Sequence, residues 1–143
     1  MREILFRGKA TLDNEWVIGA GVYKSEGHTW IITDDVTKTE NRGTGSDAIN
    51  PETVGQYTGL TDKNGKKIFE GDIVKIETDL YSGENKKERV TRIGVVVYDK
   101  TFCQFGLDIK GFSSCFMPKR WKGDFNEVIG NIHDNPELLK GGG

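Results

Sequence analysis

Cysteine and proline are scarce in this chain of 143 residues, with two of the first and three of the second. Two cysteines, Cys103 and Cys115, cannot build a disulfide framework, and without a secretory context they are expected as free thiols. A chain of this length buries about 68–70 % of the surface its unfolded form exposes, so it needs neither disulfide nor metal to fold. Histidine is equally sparse. His28, His133 and the two cysteines are the only soft ligands, and no two lie at the short spacings of zinc sites. No metal and no cofactor is therefore expected. No run of about 18 apolar residues occurs, which argues against a membrane-spanning helix. The opening MREILFRGKA holds only Ile4, Leu5 and Phe6 together, too short for a signal-peptide core. A soluble, cytoplasmic protein is expected. An excess of either charge is missing too: net charge is −2, with acids and bases intermixed. Dedicated nucleic-acid binders show a basic excess or stripe.

What the chain does have is glycine, 19 residues of it, together with β-branched and aromatic runs at short spacing. That combination points to tight turns and short strands. Residues 3–8, 16–23 and 29–33 read as the three strands of an antiparallel meander. Asp13-Asn14 and Gly27-His28 are its turns. Gly19 and Gly21 mark a bulge or a close crossing. Residues 34–47, DDVTKTENRGTGSD, hold one strongly apolar residue and no periodicity, and read as a loop or linker. The expected organisation is an N-terminal lobe over 1–48 and a second region over 49–140.

The most informative stretch is VGQYTGLTDKNGKKIFEGDIVKI, residues 54–76. Pro51 opens a helical turn just before it, with Asn50 as N-cap. Tyr57–Thr61 and Lys67–Phe69 form two arms joined by Asp62-Lys63-Asn64-Gly65-Lys66. Asn-Gly fits a type I′ hairpin, and the same letters fit a type I turn followed by Gly65 in a left-handed bulge. Glu70-Gly71-Asp72 is a second turn, followed by a strand over 72–77. A polar tip over 81–88 leads to a strand at 89–98, whose Val95-Val96-Val97 run places it mid-sheet. Strands at 105–109, 112–117 and 127–132 follow, with an irregular basic segment at 118–124. Asn135 and Pro136 then open a short C-terminal helical turn. The expected fold is all-β: an N-terminal β-meander, a small partly open SH3-like β-barrel of five to six strands, and that helical turn.

VGQYTGLTDKNGKKIFEGDIV, then GVVVYD, then VIGNIHDNPELL, resembles the YopX family of bacteriophage and prophage proteins. REILFRGKA, with a tryptophan-containing strand after it, is similar to the start of that family. The likeness runs from Arg2 to Leu139 and is weakest over 34–48. It implies a phage or prophage setting in a bacterial host and a β-rich, barrel-like C-terminal region. It brings no established activity and no catalytic or binding residues.

Catalytic constellations are not legible. Serines 25, 46, 82, 113 and 114 occupy no G-x-S-x-G elbow. A Cys103 or Cys115 pairing with His133 has no local support. Gly43-Thr44-Gly45-Ser46 lacks the lysine and the strand–loop–helix setting of a phosphate loop. Asp72 is expected to accept backbone N–H bonds in its turn rather than to move protons. A non-enzymatic protein acting on a partner is expected, either a second copy of itself or a phage or host protein. The alternative is a nucleic-acid-binding small barrel, which would use Lys63, Lys66 and Lys67 beside Tyr57, and Lys119, Arg120 and Trp121, as basic and stacking groups. The plain reading of those lysines is solvated hairpin tips that discourage edge-to-edge pairing.

Overall fold

Alternating β-branched and aromatic residues between glycine turns yield strands throughout. In a computed structural model describing residues 2–33, 45–82, 86–110, 112–116 and 126–140, three antiparallel sheets form, and none of the described helical segments reaches seven residues. The all-β expectation holds. The sheets stay open, however, and none closes into a barrel. The chain divides into two compact units, Met1–Gly59 and Leu60–Gly143.

In the first unit β1 (Phe6–Lys9) pairs antiparallel with β2 (Trp16–Gly19), and with the start of β6 (Gly55–Thr61). A second sheet runs β3 (Gly21–Ser25), β4 (His28–Ile32), β5 (Ser46–Ile49). The stretch expected as one strand over 16–23 divides at Ala20, whose N–H donates to the Ile32 carbonyl at 3.0 Å. Gly19 explains the division. A Cβ built there would lie 1.9 Å from the Ile32 carbonyl oxygen, so the two backbones cross where only glycine fits. At Gly8 a Cβ would lie 2.7 Å from Ile49 Cδ1. Buried Ile31, Ile49 and Ala10 fill the space these glycines leave.

The loop expected over 34–47 ends earlier, because Ser46 and Asp47 already pair with Ile32 and Ile31 in β5; residues 34–44 lie outside the described residues. The segment after 48 also stays bound to the first unit. Asn50 N–H donates to the Lys9 carbonyl, Lys9 N–H to Thr53 Oγ1, and Tyr57 N–H to the Leu5 carbonyl. These bonds hold the segment from Asn50 to Tyr57 within the compact unit Met1–Gly59. Asn50 caps the 3-10 turn Pro51–Thr53 as expected, its Oδ1 accepting from Glu52 N–H at 3.1 Å.

The second unit begins with the end of β6 and β7 (Lys67–Phe69). Its main sheet holds β8 (Asp72–Ser82), β9 (Lys86–Asp99), β10 (Gln104–Ile109), β11 (Phe112–Phe116) and β12 (Asn126–Asn131), in the order β11-β10-β9-β8-β12. The valine-rich β9 lies mid-sheet as expected. The β8–β9 ladder reaches Ser82 opposite Lys86, further than the polar composition of 81–88 indicated, since a long hairpin needs only backbone pairing beyond its buried base. Ile68, Val74, Ile76, Val96, Leu107 and Ile109 form the core, with Leu60 and Val128 packed against it. The 3-10 turn Pro136–Leu139 closes the described chain. Asn135 stands at its N-cap position, but its Oδ1 accepts from Asn131 N–H instead of capping the turn.

Candidate functional site

Of the residues expected to form a basic, aromatic contact, Tyr57 is buried at 6 % exposure, so its ring offers no stacking surface, while Lys63 and Lys66 are exposed and Lys67 is half-buried. Lys119, Arg120 and Trp121 lie outside the described residues.

The hairpin that carries the lysines is built around Asp62. Gly65 N–H donates to the Asp62 carbonyl at 3.0 Å, Gly65 has φ +78°, and Asp62 N–H donates to the Lys66 carbonyl at 2.8 Å. That is the type I turn with a glycine bulge, the second of the two turns the letters allowed. Asp62 Oδ1 accepts from the N–H groups of Asn64 and Lys66, each at 2.9 Å, and Oδ2 accepts from Val128 N–H at 3.0 Å. One carboxylate thus shapes the turn and ties it to β12. Burial alone would push the Asp62 carboxyl up. The three backbone donors and the Lys66 charge outweigh it and hold the group below the usual carboxylate range. Lys63 Nζ lies 3.2 Å from Glu127 in a half-exposed pair. Asp72, 1 % exposed, accepts Phe69 N–H on Oδ2 at 2.8 Å, the turn-holding role expected of it. Both carboxylates hold backbone N–H groups of their turns.

Other chemistry is thin among the described residues. They contain no group of three His, Cys, Asp or Glu able to hold a metal. Cys103 is a free, exposed thiol in a turn. A cleft of 380 Å³ in the second unit is lined by Ile93, Val95, Asp108, Lys110, Leu138 and Leu139, and presents no nucleophile with a base. No described helix is long and apolar enough to cross a membrane.

The first unit carries a different feature. Glu26 (φ 51°) and Gly27 (φ 77°) form a two-residue turn with both residues left-handed, the type I′ pattern. The turn sits one residue earlier than the expected Gly27-His28. It pairs Ser25 with His28 and Tyr23 with Trp30. Tyr23 and Trp30 then lie ring beside ring, centroids 6.3 Å apart and planes 12° apart, with His28 edge-on to Trp30 at 6.3 Å. Tyr23 hydroxyl and Ser46 Oγ are 3.3 Å apart, and Trp30 Nε1 donates to the Ser25 carbonyl at 3.5 Å. On the same face Ile32 is 44 % exposed. Placing the turn at Glu26-Gly27 and counting outward in pairs would have found this trio in the sequence. The other exposed tryptophan-bearing face differs: Trp16 is flanked by the Arg7 guanidinium at 4.6 Å and Lys9 Nζ at 5.4 Å from its ring centre, so β1 already supplies that ring with cations.

Comparison with known proteins gives two results. The YopX protein family matches residues 5–140. Among solved structures, the crystal structure of protein EF1440 from Enterococcus faecalis is similar, with 25 % identity, a TM-score of 0.51, and coverage of 95 % of this chain and 97 % of that one. No curated protein matches the chain.

Proposed function

This chain belongs to the YopX family, and from that premise we propose that it is a non-enzymatic accessory protein of a phage or prophage, working in the bacterial cytoplasm by binding protein, either a second copy or another phage or host protein. The observation that carries this reading is the outer surface of the first unit. Ile4, Leu12, Ile18, Tyr23 and Ile32 are each 40–81 % exposed there, on a unit of 59 residues. Single exposed apolar groups are ordinary, but this many on so small a body favour contact with another surface. The test is light scattering across a concentration series, for the intact chain and for Ile18→Lys and Ile32→Lys. Both sites are half-exposed, so lysine is tolerated in the fold. Association that the lysines abolish supports the reading. A strict monomer that captures no protein from host lysate overturns it.

Nucleic-acid binding is the second reading, and exposed Lys63 and Lys66 at the hairpin tip favour it. The Lys63–Glu127 pair and the burial of Tyr57 count against it. A gel shift at low salt, with single-stranded and duplex probes, decides: phosphate contacts give affinity that falls steeply with salt.

A further inference from the structure

We infer that two copies of this chain pair through β3, edge to edge and antiparallel, about a two-fold axis at Tyr23; this rests on the protein-binding reading and names the partner as a second copy. The ladder register shows which backbone groups the β3 edge offers. Thr33 N–H donates to the Gly45 carbonyl, and the β4–β5 pairs run Ile32–Ser46, Ile31–Asp47, Trp30–Ala48 and Thr29–Ile49. A bond in that place flanks a non-hydrogen-bonded pair, so Ile31 and Thr29 turn their N–H and C=O groups towards β5. Trp30 and Ile32 turn theirs towards β3, where they meet Tyr23 and Gly21. Val22 and Lys24 are left with both backbone groups aimed outward. Among the described residues no strand pairs with that edge, and no hydrogen bond reaches it.

That edge is complementary to itself. Val22 and Lys24 stand on either side of Tyr23. An antiparallel second copy sets Val22 opposite the partner's Lys24, and Lys24 opposite the partner's Val22. Each such pair exchanges two N–H···O=C bonds, so every outward group of the two residues is satisfied. Tyr23 then faces the partner's Tyr23 in a non-hydrogen-bonded pair, with Cα atoms about 4.5 Å apart, where side chains lie closest. The ring already stacked on Trp30 is 40 % exposed and available for this contact. Cross-strand aromatic pairs stabilise a ladder, as main-chain bonds do in strand addition.

The neighbouring registers fail. A slip of two residues one way sets Lys24 against the partner's Ala20, and the Ala20 N–H is already given to the Ile32 carbonyl. A slip the other way sets Val22 against the partner's Glu26, where the chain has left the strand at φ 51°. Lysine on an edge ordinarily discourages pairing. Here the two-fold sets Lys24 opposite valine, so like charges do not meet directly. Growth of this sheet stops at two copies because its other side is taken: Thr11 N–H donates to the Ala48 carbonyl, and Ala10 bridges Ile49 in β5. The contact is isologous and closed rather than fibre-forming.

The experiment is sedimentation of the intact chain over a concentration series up to about 1 mM, where only weak affinity remains to be found. The expected result is a monomer–dimer equilibrium. Lys24→Pro removes one outward donor at an exposed edge position, where proline is tolerated. It is expected to raise the dissociation constant at least about tenfold, since the two-fold removes the bond twice. Lys24→Ala keeps the N–H and is expected to keep the dimer. Register is read by cross-linking with oxidised glutathione in a chain carrying Cys103→Ser and Cys115→Ser. Tyr23→Cys is expected to give a covalent dimer, its Cα atoms lying within disulfide reach. Lys24→Cys is expected to give none, because the two copies of that residue stand beyond the roughly 7 Å limit. The cross-linking pair decides alone if Lys24→Pro folds poorly. A strict monomer at about 1 mM, a dimer unchanged by Lys24→Pro, or cross-linking no better at position 23 than at 24 overturns the inference. A dimer that Ile18→Lys abolishes and Lys24→Pro does not removes this inference alone. A strict monomer that also captures no host protein removes the protein-binding reading as well.

Discussion

The two units solve the same problem, burying strands, by opposite means. The first lets backbones approach: Gly8 and Gly19 leave room for Ile31 and Ile49 and for nothing larger than a hydrogen of their own. The second fills its interior with aliphatic side chains, Ile68, Val74, Val96 and Leu107 among them, on a five-stranded sheet. Large apolar groups are exposed in both, Ile18, Tyr23 and Ile32 in the first and Tyr98 and Phe102 in the second. The contrast teaches that opposite substitutions test the two units: an added methyl group meets backbone in the first, and a removed side chain leaves a cavity in the second.

The sharpest way to break this comparison is to add one methyl group to the first unit and remove a side chain from the second. Gly19→Ala sets a Cβ against a backbone carbonyl that no rotamer change can move. It is expected to cost more than about 4 kcal/mol, the exceptional range for a single substitution, or to leave the first unit unfolded. Leu107→Ala in the second unit is expected to cost about 3 kcal/mol through the cavity it leaves. Urea unfolding with separate probes for the two units checks both. If Gly19→Ala is neutral, the crossing is not held by backbone contact and the comparison fails.

Much of this was legible in the sequence. Turn chemistry carried the second unit: Asn64-Gly65 and Glu70-Gly71-Asp72 mark their turns locally, although the Asn-Gly letters left two turn types open. Asn50-Pro51 was readable for the same reason. The first unit hid more. A single apolar run over 16–23 does not show that the chain changes sheets at Ala20, because the cause is Ile32, which lies distant in sequence. The barrel expectation came from strand spacing and order and from the family resemblance, none of which determines closure. The aromatic trio was missed through an error of one residue in a turn, which slides the pairing by two and sets Tyr23 opposite Ile32 instead of Trp30.

A smaller effect separates the units by pH. Asp62 is buried, and its carboxylate holds three N–H groups of the second unit. Its folded pKa lies below its unfolded value, so its stabilisation is present above the unfolded pKa, near 4, and is lost as pH falls through the folded one. Asp62→Asn replaces an acceptor with an N–H donor facing one of those groups. It is expected to cost about 2 kcal/mol at neutral pH and to flatten the loss of stability below about pH 4. Stability curves measured from pH 2 to pH 7 for both chains check it. An equal acid slope in the two would remove Asp62 from the account.

The smallest effect belongs to the turn that sets the aromatic face. Glu26 adopts φ 51° at the first position of a type I′ turn, where asparagine is favoured and a long side chain is strained. Glu26 is exposed, so replacing it removes no packing. Glu26→Asn is expected to stabilise the first unit by about 0.5–1 kcal/mol and to leave the second unchanged. The register Tyr23–Trp30 should persist, visible as unaltered cross-strand contacts between the two rings in NMR. Gain of stability with the same register shows that the turn holds the aromatic pair in place against local strain. A shift of register would mean that the pair, rather than the turn, sets the hairpin, and the aromatic face would then owe its geometry to ring packing.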